Sequence, residues 1–377
     1  MGRYKYRLFI LFLTLLLLLT GCWDQRLLKD HSLILAIGYD MQQDESIKKT
    51  VTFPKESSSS TGESIHATES EVVVTTGNTV KDAEKKMDQL IPMKFDRSKA
   101  KVIILGTDLA KNGIFLPLDS LYRDLRGPLN AKVAVADTTA DQALNVNERY
   151  DQMVSDYFSE LLTSTEISGI ITKENVQSIC PVLLSDGEDI VLPYMRILGE
   201  GGEVVIDGLA LFSNDKMTGH LMAKESMMYI ILSGENVPRA KLNLQISDDE
   251  INKYNNFVDF SIRKMKRKLK VDVNDEEIKA KIYLELRIEI DEYTKDNLDD
   301  ESHAKDLEEK ITQKLNLISE QTIEKMQIAN NDSLAIGQKV RAYHNETWKS
   351  IDWEETYPNI TIEPEFNVKI VRHGIIN

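Results

Sequence analysis

The sequence predicts a mixed α+β protein (mixed α/β in part) of three domains, each with a largely antiparallel or mixed β-sheet and packed helices. First, a chain of 377 residues exceeds what one ordinary hydrophobic core accommodates. Second, apolar residues occupy every other position over 278–290, which is the period of a half-buried strand. Third, residues 301–330 carry one apolar stripe at helical spacing. Strand and helix patterns therefore occur within one globular composition.

Residues 22–147 are predicted to form an N-terminal α/β domain. A helix capped by Asn78 and stopped by Pro92, with Leu90 on its apolar face, precedes a second helix near 118–125. Strands are expected at 31–40, 50–54, 71–76, 102–105 and 131–136. The resulting order is β-β-β-α-β-α-β.

Residues 148–235 are predicted to form a smaller middle domain that is mostly β. It begins with a helical pattern over 148–163. Short segments then follow between turn sequences such as Asp186-Gly187, at 167–171, 190–197, 204–212 and 227–232. Their shortness favours an antiparallel arrangement.

Residues 236–377 are predicted to form a C-terminal α/β domain with a long helix. The strand over 278–290 is expected to pair with residues 257–273 in a hairpin turned at Asn274-Asp275. The long helix at 301–330, a short helix near 334–348 and a terminal strand at 360–370 complete this domain.

Residues 1–21 predict a lipoprotein signal peptide. Three cations precede an apolar run over 8–19, which is about half as long as a membrane-spanning helix. The run ends in the letters LTGC at 19–22, which resemble the lipobox of lipoprotein signal peptidase. Cleavage is therefore expected between Gly21 and Cys22, with diacylglyceryl on the Cys22 thiol as a durable membrane anchor. An ordinary signal peptide with an incidental cysteine, or an uncleaved anchor, would leave this agreement unexplained.

The charge balance excludes some partners. Loss of Arg3, Lys5 and Arg7 with the signal peptide takes the formal net charge from −15 to −18. A nucleic acid partner is disfavoured because it needs a basic surface, and the acyl chains, rather than electrostatic adhesion to anionic lipid, are expected to hold the membrane. Cys180 has no second cysteine for an internal disulfide and is expected to be a small apolar filler.

The sequence contains no recognised catalytic or metal-binding motif. Its six histidines are scattered without metal-ligand spacing, and it lacks HExxH, paired CxxC and G-x-S-x-G patterns. It therefore predicts a chain that is not an enzyme and that holds no cofactor and no metal.

Two segments are candidate interfaces. A basic run in this acidic chain suits lipid head groups or an acidic partner, and the alternative is the solvent face of a strand or helix. A pair of tryptophans in a short late segment suits either an interface or packing under the C-terminal domain. The residues concerned are Arg263, Lys264, Lys266, Arg267, Trp348 and Trp353.

These features together resemble the Ger(x)C lipoproteins, the C subunits of GerA-type nutrient germinant receptors of spore-forming bacteria. The resemblance begins with Gly21-Cys22-Trp23-Asp24 and continues through the strand at 33–40. It returns near the C-terminus, at 337–339, Trp348, Asp352-Trp353-Glu354-Glu355, Pro358 and 366–370. One departure is Ala335-Ile336-Gly337, where the family often has an aromatic-Gly pair, and this leaves the contacts of that junction open.

The resemblance implies a non-enzymatic, three-domain lipoprotein of the cell membrane, on the outer surface of the spore inner membrane. Its implied partners are an integral membrane A subunit, a transporter-like B subunit and, through diacylglyceryl-Cys22, the membrane lipid. The implied complex senses small nutrients and triggers ion and dipicolinate release in germination.

Two other function classes stay open at this point. A solute-binding lipoprotein of a transporter would need two similar lobes around a cleft, which the long alternating strand and the hairpin-rich middle region disfavour. An anchored cell-envelope hydrolase would need a nucleophile and a base. Neighbouring genes for a multi-span transporter-like protein and a larger membrane protein would favour the receptor, whereas ATPase and permease genes would favour transport.

Overall fold

The computed structural model describes residues 31–373 apart from short gaps, together with a few positions near the N-terminus. The gaps are 56–69, 91–93, 147–151, 200–202, 236–239, 249–251, 275–276 and 296, and the N-terminal positions are 4–7, 9 and 12. Within these described residues, no helix combines the length and the apolar character needed to cross a membrane.

An eight-stranded mixed sheet forms the larger part of the molecule. Its strands are β2 (Ala36–Met41), β3 (Ile47–Pro54), β4 (Ser70–Gly77), β6 (Val102–Gly106), β7 (Lys132–Ala136), β8 (Val191–Leu198), β9 (Glu203–Ser213) and β10 (Lys216–Met222). Across the sheet they lie in the order β10-β9-β8-β7-β6-β2-β3-β4. The central β6 is buried throughout, as expected for a parallel strand covered on both faces. A separate parallel pair consists of β1 (His31–Leu33) and β5 (Lys94–Asp96).

A second, four-stranded sheet lies in the C-terminal part of the chain. Its strands, in spatial order, are β11 (Lys241–Gln245), β12 (Phe257–Asn274), β13 (Glu277–Glu292) and β14 (Thr361–His373). The predicted hairpin is confirmed, since Val273 pairs with Ile278 on either side of the turn. β14 runs parallel to β13 and completes the sheet.

Helices cover both sheets. They are α1 (Val80–Met87), α2 (Thr107–Asn112), α3 (Phe115–Tyr122), α4 (Ala140–Leu144), α5 (Val154–Ile167), α6 (Val176–Leu183), α7 (Ala223–Ser233), α8 (Glu301–Ile328), α9 (Ile336–Tyr343), α10 (Asn345–Ser350) and α11 (Trp353–Thr356). The predicted long helix is confirmed as α8, and its buried stripe includes Leu307, Ile311 and Leu315. This stripe packs with the alternating apolar residues of β13 in one continuous core.

The strands of the middle region do not form a sheet of their own. β8 joins β7 in parallel, with Val135 opposite Tyr194 and Ala136 opposite Met195. Without β8, the apolar β7 would present an unpaired edge. Local alternation cannot reveal such a pairing, because the two strands are far apart in the chain. The mixed α+β class is confirmed, and the division at 22–147, 148–235 and 236–377 stays a prediction.

Some predicted elements differ locally from the observed structure. Residues 227–232 belong to α7 rather than to a strand, since a short apolar run suits either element and this helix is buried on most of its surface. Thr79 rather than Asn78 caps α1, its hydroxyl accepting from the Asp82 amide at 3.1 Å. Leu90 lies beyond the end of α1 and is exposed.

A buried ion-pair network that the sequence analysis missed links β3 to α1. Lys49 Nζ lies 2.8 Å from Glu84 Oε1, and the Lys49 side chain is 2% exposed. Arg97 bridges Glu84 and Asp124. Burial lowers the pKa of Lys49 to about 8, against the attraction of Glu84. Burial opposes ionisation of Glu84 as well, but the charges of Lys49 and Arg97 outweigh it and lower the pKa of Glu84 to about 2.

Candidate functional site

The predicted cleavage and lipidation residues, Gly21 and Cys22, lie outside the described residues. The other cysteine, Cys180, is buried in α6 with its Sγ 4.0 Å from the Leu118 carbonyl oxygen. Burial raises the pKa of the Cys180 thiol to about 11. A thiol that resists ionisation is a poor nucleophile, which agrees with the predicted filler role.

The four basic candidates on β12 do not share one environment. A bulge interrupts the strand around Arg263, whose guanidinium pairs with Glu289. Beyond the bulge, Lys264 and Lys266 are exposed on the solvent face. Arg267 is half-buried and lies on the opposite, inner face. The basic run is therefore split between a surface and a core position.

Arg267 binds the C-terminal end of α7. Its Nε donates to the Leu232 carbonyl at 2.6 Å, and its Nη2 donates to the Leu334 carbonyl at 3.3 Å. A cation at this position satisfies orphan carbonyls and interacts favourably with the helix dipole. Gly234 follows with φ 81, and a Cβ on it would lie 2.6 Å from Arg267 Cδ. Arg267 therefore joins α7 to the loop before α9.

Replacing Arg267 by alanine is expected to lower the free energy of unfolding by about 2 kcal/mol, because two carbonyls lose a charged donor. The neighbouring variant Lys266→Ala removes an exposed cation and should change it by less than about 0.5 kcal/mol. Urea denaturation of both variants and the wild type measures the difference. Equal effects would mean that Arg267 acts as an ordinary surface residue.

Trp348 and Trp353 meet at one place in the fold. Their ring centroids are 5.5 Å apart, and the Tyr357 ring lies 5.9 Å from that of Trp353. Trp353 Nε1 donates to Asp332 Oδ2 at 3.1 Å. These four residues are called the tryptophan junction below. The two tryptophans are thus packed together, and Trp353 is also hydrogen-bonded to a carboxylate.

Asp332 organises the backbone at the tryptophan junction. It is 1% exposed. Its Oδ1 accepts from the Ile336 amide at 3.0 Å, and its Oδ2 accepts from the Gly337 amide at 2.7 Å. These donors belong to the first turn of α9, so the Asp332 side chain caps that helix in place of an N-cap side chain. The Asp332 amide in turn donates to Asp189 Oδ2 at 2.8 Å.

The acids of this region have raised pKa values. Burial raises the pKa of Asp332 well above its usual range, against the N–H groups that donate to it. Burial also raises the pKa of Asp189 to about 6, opposed by N–H donation from Asp332 and Asn214. Perturbed acids occur in structural networks as well as in active sites. Here the hydrogen-bond donors come from the chain itself, which is typical of a structural hydrogen-bond network.

Asn331 connects the tryptophan junction to the large sheet. Its Nδ2 donates to the Ile190 carbonyl at 3.0 Å and to the Phe212 carbonyl at 2.6 Å, beside β8 and at the end of β9. The Tyr357 hydroxyl donates to the Asn331 carbonyl at 2.8 Å. A buried amide with satisfied donors specifies one relative position of the segments that it joins. The C-terminal region is thereby held against β8 and β9. The buried polar contacts of Asn331 and Asp332 are called the clamp below.

Two glycines allow the closest backbone approach in this region. A Cβ on Gly337 would lie 2.6 Å from Trp353 Nε1 and 2.8 Å from Gly187 Cα. Gly187 itself has φ 86, and a Cβ on it would lie 3.0 Å from Trp348 Cη2. The Asp186-Gly187 turn, predicted only as a separator, is therefore part of the packing around the tryptophan junction.

A half-open cavity of about 420 Å³ adjoins the tryptophan junction. Its carboxylates are Asp186, Glu188, Asp189, Asp332, Asp352 and Glu354, and its described lining contains no histidine, cysteine or lysine. Among the residues that the structure describes, no cluster of histidine, cysteine and acidic side chains could hold a metal ion. The described lining of this cavity is therefore strongly acidic.

The sequence indicated the two tryptophans but gave no prediction for Asn331 and Asp332. Both lie in Asn330-Asn331-Asp332-Ser333, a composition typical of an exposed turn. Their burial is set by the large sheet, which contacts them across a long separation in the chain. The available signal was an acid four residues before the first helical residue, Ile336, where a carboxylate can cap orphan amides.

Two family models match the chain. Residues 24–197 match the model described as the spore germination protein N-terminal domain, and residues 207–374 match the model described as spore germination B3/GerAC like, C-terminal. The chain belongs to the GerAC-like family of spore germination proteins. The GerAC-like relationship thus extends over nearly all of the described fold.

Individual relatives agree with the GerAC-like assignment. The chain is 22% identical to spore germination protein GerQC of Bacillus cereus over 97% of this chain and 98% of the relative. It is 24% identical to spore germination protein KC of Bacillus subtilis (strain 168), over 99% and 97%. The crystal structure of the GerBC protein matches with a TM-score of 0.57 at 17% identity, over 89% of this chain and 96% of that one, so the two share a fold.

The late residues that resemble the GerAC-like family converge in space. Gly337, Trp348, Asp352 and Trp353 all lie at or beside the tryptophan junction. At the departure from the family pattern, Ile336 is fully buried, so an aliphatic side chain fills this position. These residues therefore contribute to the contact between the two sheets.

Proposed function

We propose that this chain is the lipid-anchored, non-enzymatic C subunit of a nutrient germinant receptor and acts by docking on the integral membrane A and B subunits. One observation carries the proposal. The family match begins at residue 24, directly behind the predicted lipidation site Cys22, and a second match extends to residue 374. A germination module therefore follows the predicted anchor without an intervening domain. The expected location is the outer face of the spore inner membrane.

The clamp at the tryptophan junction supports a docking subunit over a solute-binding lipoprotein. A solute-binding protein closes two lobes around its ligand by motion at a hinge. In this chain, Asn331 and Asp332 are buried and bind backbone or carboxylate groups of the large sheet region. Breaking these contacts would leave buried polar groups unsatisfied, so the two sheets are held as one body.

The anchor is tested with Cys22→Ala. The variant chain should remain unlipidated, so the two-chain anchor that concentrates the subunit at the membrane is lost. Spores that carry the variant are therefore expected to germinate in response to nutrients at least about tenfold more slowly than wild-type spores. Incorporation of labelled palmitate and the fall in optical density of spores measure lipidation and germination. Germination by added dipicolinate should not change.

The matched control for this test is Cys180→Ala, which removes the other cysteine from a buried position. It should retain palmitate labelling and the nutrient response. A normal nutrient response from Cys22→Ala spores, with the protein shown to be unlipidated, would remove the anchor from the proposal.

Docking is tested by affinity purification of the tagged chain from detergent-solubilised spore membranes. The A and B subunits are expected to co-purify with it, since the proposal places all three in one complex. Recovery of an ATPase and a permease instead would favour the transporter alternative.

A further inference from the structure

The solvent face of the four-stranded sheet is basic, although the chain as a whole carries a net charge of −15. This surface, called the basic face below, consists of the outward residues of β12 from 264 to 272 and of the positions opposite them on β13 and β14. Its cations are Lys264, Lys266, Lys268, Lys270, Lys279, Lys281, Arg287 and Lys369, and its carboxylates are Asp272, Glu285, Glu363 and Glu365. Cations thus outnumber carboxylates two to one.

Like charges lie directly opposite each other on the basic face. The strand register places Lys264 opposite Arg287, and Arg287 opposite Lys369, in a line across three strands. It also places Lys270 opposite Lys281. Like charges at directly opposed positions destabilise a sheet. An external anion that neutralises the row of Lys264, Arg287 and Lys369 would remove the repulsion there.

The carboxylates of the basic face do not neutralise the row of Lys264, Arg287 and Lys369, whereas Lys270 and Lys281 each have an ion-pair partner. Glu285 pairs with Lys266, Asp272 pairs with Lys270, and Glu363 pairs with Lys279 and Lys281. On the basic face, four exposed cations have no ion-pair partner among the described residues: Lys264, Lys268, Arg287 and Lys369.

We infer that the basic face lies against the anionic head groups of the membrane that holds the chain. This inference rests on the proposed function for the presence of that membrane. Alternate residues of a strand are about 6.6 Å apart, so the four lysines of β12 form a row of about 20 Å on an open sheet surface. A head-group layer presents phosphates over such an area, and each lysine or arginine near it contributes about fivefold in affinity.

The chemistry of the basic face favours lipid over a protein partner. Protein interfaces have cores enriched in aromatic residues and depleted of lysine. On this face the aromatic residue is Tyr283, which lies on β13 opposite Lys268 and is half-buried. The acidic remainder of the chain does not prevent the contact, since charges beyond about 8 Å are largely screened at physiological salt.

The test is co-sedimentation of the mature chain, residues 22–377 with Cys22→Ser, with lipid vesicles. Vesicles of phosphatidylcholine alone are compared with vesicles that also contain phosphatidylglycerol, at low and at physiological salt. The wild-type face should bind the phosphatidylglycerol vesicles, and salt should weaken the binding. A face variant, Lys264→Gln with Lys268→Gln, Arg287→Gln and Lys369→Gln, should bind at least about tenfold more weakly.

A control variant of equal charge change carries Lys85→Gln, Lys99→Gln, Lys111→Gln and Lys216→Gln, all at exposed positions outside the C-terminal sheet. Its vesicle binding should stay within about twofold of the wild type, since these cations lie outside the contact. The face variant should unfold at the same or a higher urea concentration, because like-charge repulsion is relieved. Lower stability would instead indicate a structural role for the four cations.

Three results would overturn the inference: no binding of the wild-type face to phosphatidylglycerol vesicles, equal binding to phosphatidylcholine alone, or an equal loss in the control variant. If vesicle binding is absent and the face variant still impairs germination with normal palmitate labelling, the basic face binds an acidic protein partner. Vesicle binding by the Cys22→Ser chain does not depend on lipidation. A failure of the Cys22→Ala germination test would therefore remove the anchor from the proposed function and leave the vesicle result intact.

Discussion

Asp332→Ala is expected to lower the free energy of unfolding by about 3–5 kcal/mol, because each buried donor left unsatisfied costs about 1–3 kcal/mol. The substitution removes the acceptor of three N–H groups, from Ile336, Gly337 and the Trp353 ring. Urea denaturation followed by tryptophan fluorescence measures the loss directly. The fluorescence baseline should also change, since Trp353 loses its hydrogen-bond partner.

Two controls separate the clamp from ordinary capping. Asp332→Asn keeps the shape of the side chain and one acceptor oxygen. This variant should retain part of the stability, because burial already favours the neutral form of Asp332. Asp352→Ala removes an exposed cap, whose carboxylate accepts from the Glu354 amide at 2.9 Å, and should lose about 1 kcal/mol. A loss in Asp332→Ala no larger than that in Asp352→Ala would contradict the clamp.

Glu84→Gln is expected to lower the free energy of unfolding by about 3 kcal/mol at neutral pH, because it leaves the charge of Lys49 buried and unpaired. Lys81→Gln is the matched control. Lys81 also contacts Glu84, at 2.9 Å, but its side chain is exposed, so its removal should cost less than about 0.5 kcal/mol. Similar losses in both variants would mean that the buried pair adds nothing beyond a surface contact.

The same network predicts a pH dependence. The pKa of Glu84 falls from an ordinary value of 4.5 to about 2 in the folded chain. The unfolded chain therefore binds more protons between these values, so stability falls as the pH drops from about 4.5 toward 2. The contribution at stake is up to about 3 kcal/mol. In Glu84→Gln this part of the acid dependence should be missing from denaturation curves recorded across that range.

Periodicity predicted the C-terminal elements because the burial of each residue depends on its position along its own strand or helix. β13 and α8 each bury one face against the same core. Their apolar residues therefore recur at the period of a strand and of a helix, and this period is visible in the sequence. The joining of β8 to β7 left no such trace, since both strands are buried whatever their partners are. A short apolar run such as 227–232 fits a strand and a helix equally, and tertiary packing selected the helix.

The candidate site was predicted in part for the same physical reason. Large aromatic side chains are noticed in a sequence, and Trp348 and Trp353 are indeed packed together. The polar residues that position them, Asn331 and Asp332, have the composition of a solvent-exposed turn, and their burial depends on strands more than a hundred residues earlier. The basic run predicted one surface, but the bulge around Arg263 turned Arg267 inward.

The pairing of β8 with β9 has a consequence for how this family is inherited. The two GerAC-like models meet between residues 197 and 207, and this boundary divides a pair of strands whose register runs from Val191 opposite Leu211 to Leu198 opposite Glu203. A recombination event at that boundary would combine half of one sheet with half of another, each edge adapted to a different partner. The two modules are therefore expected to descend together, and chimaeras between relatives should tolerate a crossover after residue 235 better than one near residue 200.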